Sequence, residues 1–155
     1  MVYCFLIFGL LAFDLLTKAL ADAFSVHVAL IPRFLELNIT YNRGAAFSWL
    51  SDKSWSQAFF IGLSAVICIA FVIALVKLPK TKRVAKLSFS FLLAGALGNM
   101  VDRIAFNYVR DFVDFPWFAN CNFADFFITA GCILLFVHIL FLDEDALFRK
   151  KKEDA

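Results

Sequence analysis

Charge is scarce in this sequence. Asp, Glu, Lys and Arg together make up 18% of its 155 residues, against about 25% in an ordinary soluble domain. With 63% hydrophobic residues, that scarcity excludes a disordered chain and a nucleic-acid-binding domain. Only 6 Gly and 3 Pro are present, which excludes a collagen-like repeat. No HExxH, paired CxxC, Walker loop or G-x-S-x-G occurs, so zinc, nucleotide and serine chemistry find no support. Four Cys do not make a disulfide framework, because Cys4, Cys68 and Cys132 fall inside apolar runs and only Cys121 lies near a polar segment. Internal repeats and low-complexity linkers are also missing, and residues 1–155 read as one domain.

What is present is apolar surface in excess of any core. The 21 Phe residues could not all be hidden in one core of this size, so lipid is much of the solvent. At roughly 20 residues per crossing, four spans fit, at about 1–21, 58–76, 84–103 and 122–142, with a basic tail at 143–155. No basic segment precedes the first run, and Asp14 and Lys18 interrupt it, so it reads as a retained helix rather than a cleaved signal peptide. Nine of the fifteen basic residues lie in two segments: Lys77, Lys80, Lys82, Arg83 and Lys86 between the second and third spans, and Arg149 to Lys152 after the fourth. Four spans put both segments on one side, and the positive-inside rule makes that side, and both termini, cytoplasmic. Trp49, Trp55 and Trp117 then flank spans on the outer side, where amphipathic rings favour the headgroup region. Two polar stretches, 22–56 and 104–121, fall on that side as well. The alternation from Leu35 to Tyr41 predicts a half-buried strand and Val109 to Phe115 a second, giving a small sheet on the outer surface. The fold class is thus an all-α membrane protein of four transmembrane helices with a small extracytoplasmic β element.

Polar residues inside spans are costly and mark function by default. Asp14 and Lys18 are spaced i, i+4 with the acid first, the favourable order for an ion pair, and a structural pair at the membrane boundary explains them equally well. Gly95, Asn99, Asp102 and Arg103 share one face of the third helix. Such residues also serve as helix–helix glue, but an Arg beside an Asp at the outer end argues for a substrate-facing stripe, with Asp102 its most structural member. Asp125 stands in the first turn of the fourth helix, three residues after Asn122; capping alone would account for it. Asp111 is returned to the same boundary fourteen residues earlier. Two carboxylates close together at a low-dielectric boundary cannot both ionise cheaply, so one holds a proton while the other remains a base. That is the equipment of aspartyl proteolysis, which needs neither a covalent intermediate nor a metal or other cofactor. Asp114 rivals Asp111, and spacing alone does not choose between them, although an ideal strand would put it on the opposite face. His138 falls roughly 20 Å further along the fourth helix and outside the site.

Taken in order, these residues resemble the lipoprotein signal peptidase, or signal peptidase II, family. Its D-x-x-x-K stands here as Asp14 to Lys18, its N-x-G-A-A-F as Asn42-Arg43-Gly44-Ala45-Ala46-Phe47, and its G-A-L-G-N-x-x-D-R as Gly95 to Arg103. Its V-x-D-F-x-D-F is Val109 to Phe115, and its N-x-A-D is Asn122 to Asp125. The resemblance covers all but the basic tail. It implies Asp111 and Asp125 as the catalytic dyad of an aspartyl endopeptidase. Asn42, Gly44, Asn99, Arg103 and Asn122 would orient substrate or dyad, and Asp14, Lys18, Gly95 and Asp102 would support the site. The implied substrate is a diacylglyceryl-modified prolipoprotein, cut before the lipidated Cys at the outer leaflet of the bacterial cytoplasmic (inner) membrane. The outer strands would form a β cradle on the membrane surface. Membrane phospholipid and the cyclic peptide globomycin are the other implied partners, and nucleic acid is not one.

Three positions depart from the family pattern. Asn107 stands where Gly is usual and can keep a left-handed turn. Arg110 replaces an apolar residue beside Asp111, and strand alternation should point it away from the dyad. Cys121 takes the place of an aromatic. A small proton-coupled transporter or channel is the alternative from another class, since buried carboxylates also relay protons. Its polar residues should gather at mid-membrane with repeat symmetry, which the sequence does not show.

Overall fold

In lipid a single segment can satisfy its own backbone groups only as a helix, and the apolar runs have taken that form. The computed structural model describes residues 1–44 and 55–142. Among these, the chain runs as α1 (Val2–Ala23), β1 (His27–Ile31), β2 (Leu35–Asn42), α2 (Ser56–Lys77), α3 (Arg83–Phe106), β3 (Val109–Asp114), β4 (Asn120–Cys121) and α4 (Phe123–Val137), which continues as a π-helical turn, His138–Leu142. Four of these segments are long and apolar enough to cross a membrane, counting α4 with its π turn. Trp55 forms the N-terminal cap position of α2 and Trp117 lies exposed between β3 and β4. Trp49 and the basic residues Arg149 to Lys152 lie outside the described residues.

α3 is the hub. Of its most apolar stretch 44% is buried, against 17% or less in the other three helices, and it packs on α1, α2 and α4. Small residues permit that closeness. A Cβ on Gly95 would strike the Ala124 carbonyl oxygen and Ile128, and one on Gly98 would strike the Asp14 carboxylate and the Ala124 side chain. At the other end of α3, the Lys86 ammonium donates to the Leu75 carbonyl at 3.0 Å, closing the last turn of α2.

The strands form one antiparallel sheet in the order β1-β2-β3-β4. Leu35, Leu37 and Ile39 of β2 alternate toward a small core of Ala21, Phe112 and Val113, as their spacing predicts. Glu36 pairs with Asp114 and Thr40 with Asp111, and a bulge between Leu37 and Thr40 shifts the register. β3 is buried at five consecutive positions, so it lacks the polar alternation that would have marked its two faces. α3 reaches β3 through only Asn107 and Tyr108, and the backbone at Asn107 turns left-handed (φ 62°), the conformation Asn accepts more readily than most residues.

Gly98→Ala places a methyl where the α1 carboxylate and α4 already lie, and overpacking of this kind costs about 1–3 kcal/mol. We expect a lower melting temperature by circular dichroism in detergent. Gly9→Ala, where nothing lies within 4 Å, should leave it unchanged or raise it, since Ala is the better helix former.

Candidate active site

A helix leaves its first N–H groups without partners, and at α4 those groups organise the site. Asn122 caps the helix: its side-chain oxygen accepts from the Asp125 N–H at 3.2 Å, and the Asp125 Oδ2 accepts from the Asn122 N–H at 3.1 Å. This capping box uses the Asn122 oxygen and leaves its NH2 facing outward, where it donates to the Asp111 Oδ1 at 2.5 Å. One fully buried residue therefore holds both carboxylates, Asp111 through its side-chain amide and Asp125 through its backbone N–H. A third N–H of the helix start, that of Ala124, donates to the Asp14 Oδ1 at 2.8 Å. Asp14 thus caps α4 from α1, a role that spacing within α1 could not reveal.

The remaining oxygens are equally determined. Lys18 is buried and can only donate. It pairs with Asp14 at 2.8 Å and donates to the Asn99 Oδ1 at 2.9 Å. The Asn99 NH2 is thereby turned toward the Asp125 Oδ1, at 2.8 Å. Asn42 is fixed likewise: its oxygen accepts from the Gly44 N–H at 2.9 Å and its NH2 donates to the Asp111 Oδ2 at 3.1 Å. Each carboxylate oxygen of the pair therefore receives an N–H. The Arg103 guanidinium donates to the Gly44 carbonyl at 3.2 Å, lies 5.2 Å from the Phe60 ring centre, and feels the charge of both Asp111 and Asp125.

Burial and the neighbouring Asp125 push the Asp111 carboxyl up to about 6, against the opposing pull of Asn122, Asn42 and Lys18. Asp125 stands in the first turn of α4, where the helix dipole favours a carboxylate. The two acids thus stand in unlike surroundings, and Asp111 is held toward its protonated form. Both line a cavity of about 620 Å³ together with Asn42, Asn99, Arg103 and Thr40.

Other expected residues fall nearby with different contacts. Asp102 turns away from the acids: Arg110 holds it at 2.7 Å, with Lys18 at 3.8 Å. Arg110 accordingly points away from the cavity. Gly95 packs on the α4 backbone rather than lining the cavity. Asp114 receives the Asn38 NH2 at 3.4 Å and is absent from the cavity wall. Cys121 does line it, its thiol pushed up to about 12, first by burial and then by Asp125, Asp111 and Asp114. Ala45, Ala46 and Phe47 lie outside the described residues. Thr40 was overlooked in the sequence: its hydroxyl donates to the Asp111 carbonyl at 3.3 Å and accepts from Asn120 at 3.0 Å. Its place two residues before Asn42 on an alternating strand was the available signal.

Four apolar helices and a small sheet, with paired acids at a helix start, define a multi-pass membrane protein with the equipment of an acid–base hydrolase. Two solved bacterial membrane enzymes, determined by the in meso method, share the fold. One, at 2.3 Å resolution, has a TM-score of 0.81 at 31% identity over 90% of this chain and 87% of that one. The other, at 1.9 Å, has a TM-score of 0.80 at 30% identity over 92% and 94%. Residues 6–141 match the signal peptidase (SPase) II family. Lipoprotein signal peptidases of Caldicellulosiruptor bescii and Coxiella burnetii (strain RSA 331) are 41% and 40% identical over 98% and 82% of this chain, and over 99% and 82% of their own lengths. The chain belongs to the signal peptidase II family and is a peptidase; the transporter alternative finds no support among these relatives.

The raised Asp111 sets a direction for stability. Its folded-state value exceeds the ordinary 3.8, so the folded protein binds the extra proton, and the stabilisation present below about pH 4 is lost as pH rises through about 6. We expect the wild-type melting temperature to fall over that window and the fall to shrink in Asp111→Asn. An equal fall in both proteins contradicts the assignment.

Proposed function

We propose that Asp111 and Asp125 form an aspartyl dyad that removes the signal peptide from diacylglyceryl-modified prolipoproteins, cutting just before the lipidated Cys. The observation that carries this reading is the Asn122 side chain, which caps the helix bearing Asp125 and donates to Asp111 at the same time. Asp125, with its two N–H donors and the helix start behind it, acts as the base, and Asp111 as the acid. Asp125 takes a proton from water while the water oxygen bonds to the scissile carbonyl carbon. Asp111 gives its proton to the carbonyl oxygen, and a neutral gem-diol results. Asp125 then passes its proton to the nitrogen of the lipidated Cys as the C–N bond breaks, and Asp111 recovers a proton from the diol. The signal peptide departs with a new carboxyl terminus and the lipoprotein with a free amine.

Arg103, Asn42 and Gly44 border the acids and are assigned to holding the substrate backbone. The cavity also carries Ile128 and Thr129 of α4, so the apolar helices give the substrate's lipid a place beside the polar centre. The basic α2–α3 turn, with Lys77, Lys80, Lys82 and Arg83, favours the cytoplasmic side. That bias supports a reading in which the termini are inside and the dyad is at the outer leaflet of the bacterial cytoplasmic membrane. Membrane phospholipid surrounds the helices in this reading, and a globomycin-type cyclic peptide would compete for the cavity.

Purified protein in detergent is expected to cleave a lipid-modified preprolipoprotein. Asp111→Asn and Asp125→Asn should each reduce cleavage by about 10²–10⁴-fold or more while the protein stays folded, and Asp114→Asn should remain active. Normal cleavage by either dyad variant overturns the assignment. Because Asp111 must enter the reaction protonated, the wild-type rate should decline with rising pH, with a midpoint at or above about 6. A rate that climbs across that range reverses the roles of the two acids.

A further inference from the structure

Asp102 sits in the last turns of α3, where the helix dipole disfavours a negative charge, and it is fully buried. Lys18 lies 3.8 Å from its Oδ2, and Arg110 supplies its hydrogen bonds, three of them. The Arg110 backbone N–H donates to the Asp102 Oδ2 at 3.0 Å, the Arg110 Nε to the same oxygen at 3.3 Å, and the Nη2 to Oδ1 at 2.7 Å. The guanidinium also lies 4.6 Å from the centre of the Phe106 ring. This fork closes the turn through left-handed Asn107 and ties the first residues of β3 to the end of α3.

We propose that Arg110 is a positioning residue for Asp111: by locking β3 to α3 through Asp102 it sets the separation of the two acids. The inference rests on the dyad assigned above. Asp111 is the next residue along β3, and its own side chain leaves on the cavity side toward Asn42 and Asn122. Asn99, which holds Asp125, and Arg103, which borders both acids, stand on the same helix as Asp102. Closing the α3–β3 turn therefore fixes Asp111 against the element that already fixes Asp125. An apolar residue at position 110 would keep the backbone N–H bond and lose the two guanidinium bonds. Lys would keep the charge and lose the fork.

Cleavage kinetics on purified, folded protein in detergent test this. Arg110→Met should lower kcat by about tenfold or more, since an ångström of misplacement can cost on the order of 100-fold, with KM unchanged within about twofold. Arg110→Lys should fall between it and wild type. The pH profile supplies a readout that loss of fold alone does not move. Asp111 is faced by Asp125 of α4, Arg103 of α3, Lys18 of α1 and Cys121 of β4, and Asp125 is the one of these that raises it most. Greater separation from Asp125 should shift the limb set by Asp111 to lower pH. If Arg110→Met leaves Asp102 too poorly compensated to fold, Asp102→Asn combined with Arg110→Met removes the buried charge and should show the same loss of kcat and the same shift. Wild-type kcat and an unmoved limb in the folded single or double variant overturn the proposal. Absence of cleavage by the wild-type protein, or normal cleavage by the dyad variants, instead strikes at the dyad itself.

Discussion

Carboxylates at the edge of a bilayer must be met by N–H groups aimed at them, because water cannot be relied on to do it and an unpaired charge in a low-dielectric site is expensive. The structure depends on how that demand is met. Asn122 gives its oxygen to the start of α4 and its amide protons to Asp111. Lys18, which has no acceptor to offer, turns the Asn99 amide toward Asp125. Two further acids are paired within the same frame, Asp14 with Lys18 and Asp102 with Arg110, while the Arg103 guanidinium feels the charge of both Asp111 and Asp125. Those four buried charges cancel, so the cation that acts on the two acids from the cavity wall is Arg103. The small residues of α3 matter for the same reason. Gly98 lets Asp14 come close enough to reach the Ala124 N–H, and without that approach one N–H of α4 would be unmet.

Asymmetry follows from where each acid stands. Asp111 lies on a strand buried at five positions in succession, with only amide side chains to solvate it. Asp125 lies at a helix start, with backbone N–H groups and their dipole behind it. Sharing Asn122 keeps the two close, and closeness makes a second negative charge costly. Burial and the charge of Asp125 together push the Asp111 carboxyl up, which suits the proposed role of Asp111 as the acid.

Much of this could be read in the sequence, for reasons that differ residue by residue. The spans announce themselves because lipid demands long uncharged runs, and β2 because Leu35, Leu37 and Ile39 alternate. The rarity of intramembrane polar groups pointed to Asp14, Lys18, Asn99 and Arg103, although not to what each one touches. β1 was not foreseen: all five of its residues are exposed, so no one-sided burial pattern marks it. β4 is two residues long, too short for any period. The capping of α4 by Asp14 crosses 110 positions of sequence, and no local spacing encodes such a contact. Arg110 stood out as a departure, and alternation turned it the right way, but its partner Asp102 could be found only once the chain had reversed at Asn107. Between Asp111 and Asp114 spacing made no choice; the geometry distinguishes them by giving Asp114 a partner in Asn38 and no place on the cavity wall.

The central claim is that Asp111 and Asp125 are electrostatically coupled through a shared, water-poor site. Carbon-13 NMR of carboxyl-labelled Asp in detergent, with the Asp111 signal assigned from its loss in Asp111→Asn, measures this directly. The account predicts that Asp111 titrates near 6 in the wild-type protein and moves toward the ordinary carboxylate range when Asp125 is replaced by Asn. An Asp111 that titrates in the ordinary range from the outset, or one that does not move when Asp125 loses its charge, would contradict it.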